Sequence, residues 1–260
     1  MGRALADGWL RAGIDPDAIV IVDPKLDSDQ FSQIGPGNIK ASFDLLGADF
    51  GPSAVILAVK PQVVNDILPK LAVLVDQETL VVSVAAGVTL RQLQNGIGAL
   101  TANVRAMPNM PAAVGAGITG LTAASKVNDA KKQQAENLLS VLGKTAWVEN
   151  ESLMNGVTAL SGSGPAYVFH LVEAMASAGV QEGLDEDVAM QLARQTLIGA
   201  ALLLEHEPDV PVSEMRRRIT SPGGTTAAAL EVLMHSEDGL TPLMKKAIAA
   251  AKRRGEELAG

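Results

Sequence analysis

The chain has 260 residues, 47% of them hydrophobic and only 3% aromatic, with a formal net charge of −8 and no cysteine. That length can bury a sizeable core in one large or two modest domains, and the missing cysteines exclude disulfides, thiol nucleophiles and thiolate metal sites. The acidic balance, with no basic run longer than Arg216–Arg218, argues against nucleic acid or an anionic membrane as partner, and no apolar run has the length of a membrane span or the layout of a signal peptide.

In chain order, Gly2–Ala12 reads as a helix, Ala18–Val22 as a strand and Ala54–Val59 as a strand. A helical pattern over Gln62–Val75 follows, then a strand at Leu80–Val84, a helix at Leu90–Asn95 and a strand at Ala102–Ala106. Strands at Ile118–Leu121 and Ala146–Val148 flank a helix at Lys126–Leu142 and complete the sheet. Strand–helix alternation predicts a parallel sheet with right-handed crossovers, an α/β doubly wound fold for residues 1–149. After Glu149 the strand-like runs stop. Leu153–Leu160, Pro165–Gly179, Asp185–Glu205, Ser213–Arg218, Thr225–His235 and Thr241–Leu258 read as helices. Asp185 and Ser213 are expected N-caps, and Pro242 a first-turn residue. Residues 150–260 are therefore expected to form an all-α domain. Its alanine-rich, apolar helices are expected to bury themselves in a partner subunit.

The most informative segment is Arg218–Leu230, which packs Ser221, Pro222, Gly223, Gly224, Thr225 and Thr226 together and then turns helical. Glycines admit a ligand close to the backbone, and hydroxyls with free N–H groups at a helix N-terminus suit a small anion. A plain Ser/Thr cap with a glycine turn is the ordinary alternative. A second segment, Ala159–Phe169, repeats the idea. Ser161, Gly162, Ser163 and Gly164 precede a helix with Pro165 in its first turn.

Together these two segments resemble the signature of the Δ1-pyrroline-5-carboxylate reductases. The resemblance extends over almost the whole chain, through Gly2–Gly13, Ala58–Pro61, Val84–Val88 and Met107–Pro111. The Ser-Pro-Gly-Gly-Thr-Thr run is highly specific to that family; the Ala-Val-Lys-Pro stretch is weaker by itself. The resemblance implies an oxidoreductase acting on a CH–NH bond. NADH or NADPH would give a hydride to the imine carbon of Δ1-pyrroline-5-carboxylate, producing L-proline in the last step of proline biosynthesis. It also implies a Rossmann-like domain, a helical dimerisation domain, and a homodimer that assembles further into a ring. The cytoplasm is the expected compartment.

A dinucleotide fold opens with a strand and Gly-x-Gly-x-x-Gly. By resemblance Gly2 matches the third glycine, so the first strand and the first two glycines are missing. The expectation is that the native chain starts upstream with a short apolar strand and a Gly-x-Gly; a truncated, weakly binding chain is the alternative. Asp23 lies at the end of the next strand, where a carboxylate meets the adenosine ribose diol. A turn aspartate before Pro24 fits equally well. As a ribose ligand Asp23 would favour NADH, while Lys25 and the general habit of the family favour NADPH. Ala58, Val59, Lys60 and Pro61, then Ala85, Ala86 and Gly87, then Asn109 are the remaining cofactor-binding candidates, each at a strand's C-terminal end. Ser221, Gly223, Gly224, Thr225 and Thr226 are the candidates for the substrate carboxylate, with Ser161–Gly164 shaping the pocket. No catalytic side chain is assigned. His170 sits on an apolar helix and reads as a core or interface residue, where the family can carry threonine. His206 and His235 lie near helix C-termini, and the three histidines form no metal pattern.

Two other readings remain. One is a different two-domain NAD(P)-dependent reductase of a small hydroxy or imino acid. The long helices offer no lysine acid before Lys245 for such chemistry. The other is a truncated, non-catalytic nucleotide-binding protein.

Overall fold

The computed structural model describes residues 1–26, 31, 33–47, 50–98 and 101–259. Helix α1 (Gly2–Arg11) leads into two short parallel strands, β1 (Ile21–Val22) and β2 (Ile39–Lys40). The strand expected from Ala18 is shorter, because Pro16–Ala18 forms a 3₁₀ turn capped by the Asp15 side chain on Asp17 N. Strand β3 (Ala54–Leu57), helix α2 (Val64–Leu71), β4 (Leu80–Ser83), α3 (Leu90–Ile97) and β5 (Ala102–Met107) then alternate as anticipated. The chain continues through β6 (Gly117–Ala123), α4 (Asp129–Leu139) and β7 (Gly143–Trp147). A five-stranded sheet runs β3-β4-β5-β6-β7, separate from the β1-β2 pair.

The sheet is not wholly parallel, contrary to the sequence-based expectation. β5 and β6 pair antiparallel, with Arg105 opposite Thr122, while the other neighbours are parallel. The connections explain this. Parallel neighbours need a crossover of a dozen or more residues, and α2, α3 and α4 supply them between β3 and β4, β4 and β5, and β6 and β7. Only Pro108–Ala116 joins β5 to β6. It contains a 3₁₀ turn that ends at Gly115 with φ of 73°, too short for a crossover.

Every residue of β4 is buried, as expected of a strand covered on both faces. Its alternation divides the core. Leu80 and Val82 meet Leu5 of α1 and Leu139 of α4 on one face, while Val81 meets Leu68 of α2 and Leu93 of α3 on the other. Each such side chain contributes roughly 1.5–3 kcal/mol on burial. The doubly wound arrangement is therefore present. Trp9 Nε1 also donates to Leu138 O at 2.7 Å, which ties α1 to α4.

Helix α5 (Met154–Val157) continues as a π-helical turn over Thr158–Gly162. The chain divides into two compact units, residues 1–162 with 252–260, and residues 163–251. The second unit contains α6 (Gly164–Gln181), α7 (Glu186–His206), α8 (Val212–Arg218), α9 (Thr225–Leu233) and most of α10 (Leu240–Ala259). Asp185 caps α7 as expected, its side chain accepting from Asp187 N and Val188 N. Ser213 does not cap α8, because the helix starts one residue earlier, at Val212, with Pro211 as its N-cap. Helices α6 and α7 pack through small residues: a Cβ on Gly179 would lie 3.3 Å from the Ala189 Cβ. Ala176, Ala189 and Ala193 are the buried apolar side chains of this unit.

Candidate active site

Because β3, β4 and β5 are parallel, their C-terminal ends share one edge of the sheet. Three of the sequence-predicted segments meet there: Ala58–Pro61 after β3, Ala85–Gly87 after β4, and Asn109 after β5. Gly2 joins them at the start of α1, where an added Cβ would lie 3.3 Å from the Ala58 Cβ. A glycine at that position lets the helix start close against the strand end. Ala58, Lys60, Ala86 and Gly87 are exposed along this edge. Gly87 has φ of 79°, a conformation suited to glycine. The buried Ser83 hydroxyl accepts from Ala85 N at 3.3 Å and fixes the turn after β4. Small side chains and open backbone are what a nicotinamide ribose requires at such an edge.

Asp23 ends β1. Its N–H donates to Lys40 O at 3.0 Å, and its exposed side chain accepts from Lys25 N at 2.9 Å. This local bond is an Asx turn. The Asn109 side chain is half-buried and engaged at both ends, with Oδ1 accepting from Ile118 N at 3.0 Å and Nδ2 donating to Ser161 O at 3.2 Å. One ion pair was not anticipated. Arg105, with 8% of its side chain exposed, reaches Glu151 Oε1 at 2.9 Å. The same oxygen accepts from Leu90 N at 2.8 Å, so one carboxylate fixes β5 and the first turn of α3 together. Only the apolar setting of Arg105 within a strand signals this pair in the sequence.

The Ser221–Thr226 segment lies in the helical unit and is described within that unit. Gly223 has φ of 70°, and Gly224 is the N-cap of α9, with no side chain capping the helix. Gly224 N donates to Ser221 O at 3.1 Å, closing a turn just ahead of the first helical amides. A Cβ on Gly224 would collide with the Ser221 hydroxyl. In contrast to α7, this helix begins among hydroxyls with none spent on capping. Its first-turn N–H groups have no intrahelical acceptor, and they sit at the positive end of the helix dipole. Backbone and hydroxyl donors together match a carboxylate. The nearby Arg218 is committed elsewhere. Hydrogen bonding and charge from Glu207, with Glu214 beside it, raise its pKa above the ordinary arginine value.

His170 is not a core residue: 81% of its side chain is exposed, and Nδ1 lies 3.1 Å from Glu173 Oε2. His206 sits in the last turn of α7, as expected, and His235 pairs with Asp238 just beyond α9. Among the described residues, no group of three His, Asp or Glu side chains is placed to hold a metal. A groove of about 380 Å³ between α2 and α3, lined by Asn65, Leu68, Arg91 and Gln92 among others, includes none of the predicted site residues.

Comparison with known proteins decides the family. Residues 151–258 match the family model for pyrroline-5-carboxylate reductase dimerisation. A pyrroline-5-carboxylate reductase of Pasteurella multocida is 37% identical, over 99% of this chain and 94% of its own length. The chain belongs to the pyrroline-5-carboxylate reductase family. Residues 1–87 also match the model for coenzyme F420-dependent NADP oxidoreductases, in keeping with a Rossmann-like first domain. Among solved members of the pyrroline-5-carboxylate reductase family, the Coxiella burnetii enzyme superimposes with a TM-score of 0.91 at 36% identity, covering 100% of this chain and 95% of that one. A Plasmodium falciparum pyrroline carboxylate reductase with NADP bound gives a TM-score of 0.79 at 27% identity, again covering 100% of this chain and 95% of that one.

Proposed function

We propose that this chain reduces Δ1-pyrroline-5-carboxylate to L-proline with NAD(P)H, the last step of proline biosynthesis. The observation that carries the reading is the uncapped start of α9, which follows Ser221 and opens with Thr225 and Thr226, in a member of this family. That arrangement suits the substrate carboxylate. The nicotinamide supplies the hydride when bound. Gly2, Ala58, Val59, Lys60, Pro61, Ala85, Ala86 and Gly87 form the edge that would hold the cofactor, and the close approach of Gly2 to Ala58 fits that use. Asp23 would take the adenosine ribose through the part of its carboxylate not used by Lys25 N.

The chain's main task is placement. Bringing two reactants to contact distance in a fixed orientation removes much of the barrier to a hydride transfer. Taken up as the iminium, the substrate brings its own proton, so no strong side-chain acid is required. Ser161–Gly164 shape the pocket.

The helical unit is read as the dimerisation unit. Phe169 and Leu202 are 53% and 58% exposed in the single chain, on helices whose buried contacts are alanines. A ring of dimers is the further assembly proposed, and the cytoplasm the proposed compartment. No helix among the described residues is long and apolar enough to cross a membrane. The test is an assay of NAD(P)H oxidation with Δ1-pyrroline-5-carboxylate and chromatographic detection of proline. Turnover that yields proline supports the reading. Cofactor binding without proline formation contradicts it.

A further inference from the structure

The Ser161 carbonyl lacks its helical partner for a reason written in the sequence. In an α-helix it would accept from the N–H four residues on, and that residue is Pro165, which has none. The next N–H, of Ala166, donates to Ser163 O at 3.0 Å. The backbone widens here into the π-helical turn Thr158–Gly162, and the Ser161 hydroxyl is spent on Val157 O at 2.9 Å. The Asn109 side chain supplies the donor that Pro165 cannot, Nδ2 to Ser161 O at 3.2 Å. Its other end accepts from Ile118 N at 3.0 Å, at the start of β6. The turn is also pressed onto this corner, since a Cβ on Gly162 would lie 2.9 Å from the Met107 Cε.

We infer that Asn109 is a positioning residue of the reductase site. It fastens the wide turn at Ser161–Gly162 to the corner after β5, and it acts by holding that main chain beside the strand edge rather than by touching cofactor or substrate. This rests on the proposed reductase function. It also gives the Asn109–Pro165 combination a physical meaning: the side-chain amide replaces the backbone N–H that proline removes.

The experiment is a double-variant cycle on the full chain. Asn109→Asp keeps the acceptor for Ile118 N and removes the donor to Ser161 O. Its kcat is expected to fall about tenfold, with KM for NAD(P)H and for substrate nearly unchanged. Pro165→Ala returns an N–H at the helical position. Measured against Pro165→Ala alone, the added Asn109→Asp is expected to cost less than about twofold. Thermal midpoints read the same coupling without turnover: Asn109→Asp lowers the midpoint by about 2–4 °C in the parent chain and hardly at all alongside Pro165→Ala. A rise in KM for NAD(P)H with kcat unchanged would mean direct contact and overturns the inference. A double variant as impaired as Asn109→Asp overturns it too. An inactive parent chain with an intact melting cycle defeats the reductase reading and leaves the tie standing.

Discussion

Val81 and Val82 in the sheet have no exposed surface, whereas Leu202 and Leu203, in an equally apolar run of α7, keep 58% and 57% of theirs. The two units bury themselves by different means. In the first, a sheet sandwiched between helices encloses long aliphatic side chains from both faces. In the second, helices approach through Ala176, Ala189 and Ala193, which brings backbones close but turns the long side chains outward. One unit carries its own core; the other keeps the materials of a core on its surface. Stability of the first should depend on its own sequence alone. That of the second should depend on how many copies are present.

The largest effect expected is on assembly. Phe169→Asp combined with Leu202→Glu would put unpaired charges into the proposed interface, at several kcal/mol each. Light scattering should then give about 27 kDa, the mass of one chain, instead of at least twice that. The melting midpoint of the unsubstituted protein should rise with concentration. A concentration-independent midpoint and a monomer mass for the parent chain would erase the contrast between the units.

Next is the self-contained core. Leu93→Ala, at a fully buried position on α3, should cost about 2–5 kcal/mol in urea unfolding. Its cost should not change on dilution, and a cost that did would show that the first unit also leans on a partner. Third, Thr226→Val and Ser221→Ala should weaken substrate binding by about 1.5–3 kcal/mol while leaving cofactor titrations unchanged. Unaltered substrate kinetics in both variants would return this segment to the role of a plain helix start. The smallest effect is expected at Asp23, where Asp23→Ser should move preference toward NADPH by about tenfold or less. Steady-state kinetics with both cofactors measure it, and an unmoved preference would leave Asp23 with its turn to Lys25 alone.

Local chemistry was legible in the sequence where one segment settles its own fate. The β-branched run at Leu80–Val84 announces a strand, and Asp185 announces a helix start because its side chain reaches amides two and three residues on. What could not be read depends on partners distant in sequence. The direction of β6 turns on the brevity of Pro108–Ala116. The Arg105–Glu151 pair spans 46 residues, and the Asn109–Ser161 bond spans 52. Ser213 misled because a good capping residue is also tolerated inside a first turn. For the site, the pattern placed Ala58–Pro61, Ala85–Gly87 and Asn109 at strand ends, and parallel pairing brings those ends to one edge. The pattern carried no sign that the Asn109 amide is occupied by backbone at both of its ends.

On the proposed reading, the open start of α9 makes the ligand part of the fold. Asp185 finishes α7 from within the chain; α9 is left unfinished. On the proposed reading, the carboxylate that docks there is the missing cap, so the ligand completes a piece of secondary structure as it binds. Proline, the product, carries the same carboxylate and should close the same helix. Turnover must then undo a stabilised state on each cycle, and the concentration of product around the enzyme becomes part of what holds its helical unit together.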